Sequence, residues 1–230
     1  YVYFRGLPHT CMDGTVVITG AGTPLADRVA GAFAANGAHV AIGGPDQDAV
    51  DAVTESIEAN GGSATSARVD ARDEFDLERF VETASRAGGG IDVVVPTASV
   101  AHDEPGEQPL QSTSYSAYDD TMRANARGAF ATIRETVPHL DPAGRVVIPV
   151  VQTTERAGAG VFAVSQTARL AVMRGFAADL DQAVAAVAID VVPGASADAA
   201  VDEAADRIVW AGTEATAIDG TLLDGTDRDE

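Results

Sequence analysis

Short apolar runs rich in β-branched residues alternate along this chain with stretches whose apolar positions return every three or four residues. Thr15-Val16-Val17-Ile18 is the first run, with the continuous apolar character of a strand buried on both faces. A glycine turn follows at Gly20 to Gly22, and Pro24 opens a helical pattern that reaches about Asn36. Proline suits the first helical position, where its φ is already set and its missing N–H has no intrahelical partner to lose. The second strand is expected at Ala38 to Gly43. A helical stripe follows over Asp46 to Asn60, carried by Val50, Val53 and Ile57 and stopped by Gly61-Gly62. A third strand is expected over Ala64 to Val69 and a helix over Phe75 to Arg86, with Phe75, Leu77, Phe80 and Val81 inward. Gly88 to Gly90 lead into a fourth strand at Ile91 to Val95.

A polar loop, Ala101 to Ser114, separates that strand from a long helix expected from about Tyr118 to His139. Then come a strand at Arg145 to Val150 and a helix from about Val161 to Ala183, with Phe162, Leu170, Met173 and Phe176 inward. A sixth strand, Val187 to Val192, ends at Pro193-Gly194; a helix over about Val201 to Ala211 and a short strand at Thr221 to Leu223 follow. Strands alternating with helices at this spacing predict an α/β fold: a doubly wound parallel sheet in a single domain. Residues 1–11 do not share the pattern. Met12-Asp13-Gly14 reads as a natural start, so the domain is expected over 12–230, with 1–11 a poorly ordered extension.

Composition narrows the classes of function. There are 35 acidic residues against 15 basic ones, a net charge of −20, and every basic residue is an arginine. A chain with no lysine and so acidic a surface resembles proteins of salt-accumulating archaea, in which high salt screens the self-repulsion of the surface. Such a surface repels nucleic acid and anionic membranes, so neither is an expected partner. No apolar run has membrane-spanning length and no basic segment followed by an apolar stretch opens the chain, which predicts a cytoplasmic protein. A single cysteine, Cys11, leaves no internal disulfide framework, and His9, His39, His102 and His139 show no ligand spacing, so no metal site is expected.

The first strand, its glycine turn and the following helix start make an anion site, because unpaired N–H groups and the positive end of the helix dipole converge there. In this context TVVITGAGTPLA points to a turn that holds a nucleotide phosphate.

Over Gly14 to Gly225 the order and spacing of these elements resemble the short-chain dehydrogenase/reductase (SDR) family, with a Rossmann fold. TGAGTPLA stands where that family has TGxxxGxG, with Gly20 retained and Pro24 and Ala26 in place of the second and third glycines. Asp70 stands where the family's Asp caps the adenine amino group, Ala98 keeps the alanine of the NNAG segment, and Asn125 in ANARG matches the family's helix asparagine. Pro193-Gly194 matches the pair that walls the nicotinamide pocket. The resemblance thus implies a dinucleotide, NAD or NADP, on Gly20, Gly22, Thr23, Leu25, Asp46, Asp70, Ala71, Ala98, Pro193 and Gly194. The end of the second strand, Gly43-Gly44-Pro45-Asp46, has no arginine to pair a 2′-phosphate and has an acid near a ribose hydroxyl, which favours NAD.

The family's catalytic residues are replaced. Phe162-Ala163-Val164-Ser165-Gln166 stands at YxASK, Val150 or Val151 at the serine, and Pro96-Thr97-Ala98-Ser99 at NNAG. Phenylalanine has no transferable proton, and glutamine has no charge with which to lower a neighbour's pKa. Thr153 or Thr154, His102, Tyr115 and Tyr118 are candidates for a substitute centre, the two tyrosines more plainly as packing residues near the start of the long helix. Only about half a dozen residues separate Gly194 from the last helix, where the family places a substrate-covering lid. The expectation is therefore a non-catalytic relative that binds a dinucleotide weakly and acts by sensing or as a scaffold. The alternative is an NAD(P)-dependent oxidoreductase with a rebuilt centre, acting on a small carbonyl or alcohol. A third reading is a structural subunit for an active paralogue. A homo-oligomer, dimer or tetramer, is expected through helices 118–139 and 161–183, because the second carries more apolar surface than one sheet face needs.

Overall fold

The computed structural model describes residues 12–101, 109–152, 158–189, 197–215 and 218–224. Seven parallel strands form one sheet in the order β3-β2-β1-β4-β5-β6-β7. They are β1 (Thr15–Thr19), β2 (His39–Gly44), β3 (Ser63–Arg68), β4 (Ile91–Pro96), β5 (Leu140–Val151), β6 (Ala183–Ile189) and β7 (Leu222–Leu223). The helices between them are α1 (Pro24–Ala35), α2 (Gln47–Ala59), α3 (Glu74–Gly88), α4 (Tyr115–Met122), α5 (Gly128–Thr136), α6 (Gly160–Asp179) and α7 (Ala197–Thr213). The doubly wound sheet is as the periodicity predicts. The expected extension at residues 1–11 lies outside the described residues.

Alternation along the strands explains the two cores. Val16 and Ile18 of β1 point to a cluster with Val29 and Phe33 of α1, Val50 and Ile57 of α2, and Ile208 of α7. Val17, between them, points the other way, to Leu77 and Phe80 of α3, Ile133 of α5 and Met173 of α6. The central strands are buried on both faces, hence their runs rich in Val, Ile and Ala. β3 is one of the two edge strands, and its polar sequence SATSAR is exposed or half-buried throughout, which suits an unpaired edge.

Three expectations are corrected. Phe75 does not face inward: it is 72% exposed, because the N-cap Asp73 starts α3 just before it and the buried stripe begins at Leu77. The long helix runs to His139 as expected but begins before Tyr118 and is not α-helical throughout. Ser114 caps its start at Tyr115, and a wider π-type turn over Arg123–Arg127 separates α4 from α5. Tyr115 is 92% exposed and does not pack, whereas Tyr118 is 40% exposed. The sixth strand lies earlier than expected, at Ala183–Ile189, since α6 ends at Asp179.

Among the described residues no helix is long and apolar enough to cross a membrane, and no three His, Cys, Asp or Glu side chains are grouped to hold a metal ion.

Candidate active site

Strand order reverses between β1 and β4: β2 and β3 continue to one side of this pair, β5 to β7 to the other. The loops leaving the carboxyl ends of two such strands diverge, and a crevice opens between them. Here it is a cavity of about 360 Å³, lined at its centre by Gly20, Ala21, Gly22 and Thr23. Pro45, Asp46, Ala49 and Val69 to Arg72 line it on the β2–β3 side, and Ala98, Ser99, Val100 and Ala124 on the β4 side. That size suits a small-molecule site.

The central turn is shaped by backbone demands. Gly20 has φ +100°, and a Cβ on it would stand 2.6 Å from the Ala98 nitrogen, so only glycine lets the β1 and β4 loops approach so closely. The Gly20 and Ala21 amides are tied to the Gly43 carbonyl at 2.7 and 3.1 Å. Thr23 caps α1: its hydroxyl accepts from the Ala26 amide at 3.3 Å and donates to the Gly20 carbonyl at 2.9 Å. Asp27, in the first turn, accepts from the Gly22 amide at 3.0 Å. Burial raises its carboxyl pKa, and the Gly22 amide partly offsets that. Leu25 is not on the cavity wall; it packs half-buried against the first core.

On the β3 side, Asp46 accepts from the Asp48 amide at 3.0 Å and so caps α2 while lining the cavity. Asp70 grips Arg72, whose Nε and Nη2 donate to its two oxygens at 2.7 to 3.1 Å. The guanidinium, the nearest donor, holds the Asp70 carboxyl below its usual pKa.

On the β4 side, side chains carry the geometry. Asn125, in the wide turn, brackets the main chain of Val100: its Oδ1 accepts from the Val100 amide at 2.7 Å and its Nδ2 donates to the Val100 carbonyl at 2.9 Å. Nδ2 also reaches the buried Ser165 hydroxyl at 2.9 Å. Gln166 is 2% exposed. Its Oε1 accepts from the Val151 amide at 3.1 Å, which turns its Nε2 toward the Ser99 hydroxyl, 3.4 Å away. Phe162 is half-buried and gives its carbonyl to the Ser165 hydroxyl at 2.7 Å.

Beneath these groups lies Arg169, 1% exposed. Its Nε donates to the Pro149 carbonyl at 3.1 Å, its Nη1 to those of Ala98 and Asn125 at 3.0 and 3.1 Å, and its Nη2 to that of Pro96. Burial pulls its pKa down to about 10, so it remains charged at neutral pH. Arg169 and Met173 thus face the chain's own interior. Sequence reasoning passed over Ser99, Arg72 and Arg169. The signal for the last was available: Phe162, Gln166, Arg169 and Met173 fall on one helical stripe, and two polar residues on an inward stripe mark a buried polar network. His102, Thr153, Thr154, Pro193 and Gly194 lie outside the described residues.

Residues 14–207 match the family model for short chain dehydrogenase. A glycine betaine reductase from Emericella nidulans is 29% identical over 157 residues, 68% of this chain and 12% of that protein. Versicolorin reductase stcU from the same organism is 27% identical over 181 residues, 78% of this chain and 64% of that protein. Among solved structures, a dehydrogenase/reductase from Sinorhizobium meliloti 1021 superposes with a TM-score of 0.84 at 25% identity, covering 94% of each chain. These similarities overturn the expectation of a non-catalytic sensing or scaffold relative: the named relatives are reductases, and the match runs through the altered positions. The physical reason lies in the cavity. Phe162, Gln166 and Val151 remove particular side chains, but Ser99 and Gln166 keep a hydroxyl and an amide hydrogen-bonded at the β4 side.

Proposed function

The chain belongs to the short chain dehydrogenase family, and from that premise we propose that it is an NAD(P)-dependent oxidoreductase with a rebuilt centre, acting on a small carbonyl or alcohol. The observation that carries this reading is Ser99, which lines one cavity with the glycine turn and accepts from the buried Gln166 amide at 3.4 Å. The residues present fit a dinucleotide: Gly20 and Gly22 keep the turn free of Cβ atoms, and the α1 N-terminus faces the cavity where a pyrophosphate would rest. The phosphates would rest against the turn of Gly20, Gly22 and Thr23 at the positive end of the α1 dipole, with Asp46, Asp70 and Ala71 toward the adenosine and Ala98 toward the nicotinamide. When bound, the cofactor gives or takes a hydride.

This chain's own residues then position and donate. Thr23, a lining hydroxyl, is taken up in capping α1, whereas Ser99 accepts from the Gln166 amide and keeps its own O–H for a substrate oxygen. A serine hydroxyl stays neutral across the physiological range, so it polarises a carbonyl and relays a solvent proton without titrating. Asn125 and Arg169 fix the loop that carries it, through Val100 and Ala98. Asp46 at the end of β2, with no arginine among Gly43-Gly44-Pro45, supports a preference for NAD.

The test is hydride transfer by the purified protein, with NADH and NADPH against small aldehydes and ketones, and the reverse reaction with alcohols. Turnover with NADH favoured is expected; no transfer with either cofactor across the panel refutes the reading. Pairing of two copies through α5 and α6 is also proposed. It is supported by Phe130, 43% exposed, stacked on Phe176 with ring centroids 5.8 Å apart. Light scattering should show a dimer that Phe130→Glu splits; a monomeric parent protein refutes it.

A further inference from the structure

Arg169 is a buried cation with no anion beside it. Its partners are the carbonyls of Pro96, Ala98, Asn125 and Pro149, and among the described residues no carboxylate pairs with it. Carbonyl dipoles lower the cost of burying a charge, but they do not neutralise it. Burial leaves the guanidinium protonated at neutral pH, so a full positive charge sits beneath the β4 side of the cavity.

The fold aims that charge at one end of the cavity. Nη1 donates to the Ala98 carbonyl at 3.0 Å, and Ala98 and Ser99 both line the cavity. The peptide unit they share has its negative end on the guanidinium, so its positive end points away from Arg169, on the Ser99 side. The other buried polar side chains here, Asn125, Ser165 and Gln166, carry no charge. Among the described lining residues the acids, Asp46 and Asp70, stand on the β2–β3 side, and Asp70 is paired with Arg72.

We infer that Arg169, from beneath Ala98, makes this cavity prefer the reduced, uncharged nicotinamide ring to the oxidised, cationic one, and so sets the chain to reduce carbonyls; the preference rests on a dinucleotide lying across the central turn as proposed above. The two forms differ by one positive charge on the ring and share the rest of the molecule. A unit charge roughly 10 Å from a cation, at an effective dielectric of about 20, changes its affinity by about tenfold. A carbonyl being reduced takes a hydride at carbon and gathers negative charge at oxygen until a solvent proton arrives. That negative charge, held at Ser99, is attracted by the same guanidinium.

Calorimetry on the full chain with NADH, NAD⁺ and ADP-ribose tests this, ADP-ribose being NAD⁺ without its nicotinamide ring. The parent protein should bind NADH about fivefold or more tighter than NAD⁺, and NAD⁺ no tighter than ADP-ribose. Arg169→Gln and Arg169→Met both remove the charge, but only glutamine keeps a donor for the carbonyls. Each should lower the NADH:NAD⁺ preference by about threefold or more, and circular-dichroism melts show which variants are folded. An arginine that only braces the loops predicts another pattern: both affinities fall together and the preference holds. That result in a folded variant overturns the inference. A parent preference under about fivefold, or NAD⁺ bound tighter than ADP-ribose, overturns it as well, whether or not the variants fold. No heat with NADH or NAD⁺ refutes the dinucleotide reading itself and the inference with it.

Discussion

The two sides of the cavity are built on different principles. At the central turn recognition is a property of the backbone: Gly20 lets two loops touch, a helix start faces the cavity, and Thr23 only squares the cap. On the β4 side the geometry belongs to side chains: Ser99 held by Gln166, Gln166 held by the Val151 amide, and a buried arginine on four carbonyls. A site made of backbone tolerates wide sequence change as long as glycine and a cap survive. A site made of side chains changes its chemistry with each replacement. That difference explains how this chain keeps the family's turn and departs from it at Phe162 and Gln166.

The largest effect should come from the backbone side. Gly20→Ala puts a Cβ 2.6 Å from the Ala98 nitrogen in a conformation with φ +100°. Dinucleotide affinity measured by calorimetry should fall by more than about 100-fold. Unchanged affinity would mean that the dinucleotide does not depend on the backbone of this turn. On the other side, Ser99→Ala should lower turnover by about 100-fold, the usual cost of one donor to a developing oxyanion, with dinucleotide affinity held within about twofold. If affinity falls and turnover does not, Ser99 belongs with the backbone side.

Arg169→Met tests whether the side-chain side is held together from below. It leaves four buried carbonyls short of a donor, so unfolding in denaturant should show a loss of about 3 kcal/mol. A loss under about 1 kcal/mol would mean that water replaces the guanidinium and that the loop does not depend on it.

The smallest effect concerns Asp27 and pH. Its carboxyl has a folded-state pKa raised by burial. The stability it contributes is therefore present below the unfolded pKa and is lost as pH rises through the folded value. Asp27→Asn should remove that loss, raising the melting temperature at pH 7 by about 1–2 °C and leaving little change at pH 3. A lower melting temperature at pH 7 would show instead that the Gly22 contact needs the charge.

The order of strands and helices, the glycine turn and the proline-led start of α1 are legible in the residues alone. These follow from local rules: apolar runs and helical spacing report burial, and glycine and proline report backbone conformation at their own positions. The sequence also pointed to Asn125, Gln166 and Ala98, which the fold places on the β4 side. Only the tertiary structure decided what those residues do. Ser99 meets Gln166 across 67 residues of chain, and Arg169 reaches the Ala98 carbonyl across 71. Such contacts are created by parallel crossovers that bring distant strand ends together, and hydrophobic periodicity carries no trace of them. The Asp70–Arg72 pair is close in sequence, yet its meaning also waited on the fold. The spacing allows the ion pair, but it is the fold that sets the loop carrying it along the cavity wall, with Arg123 and Arg127 donating to the Arg72 carbonyl.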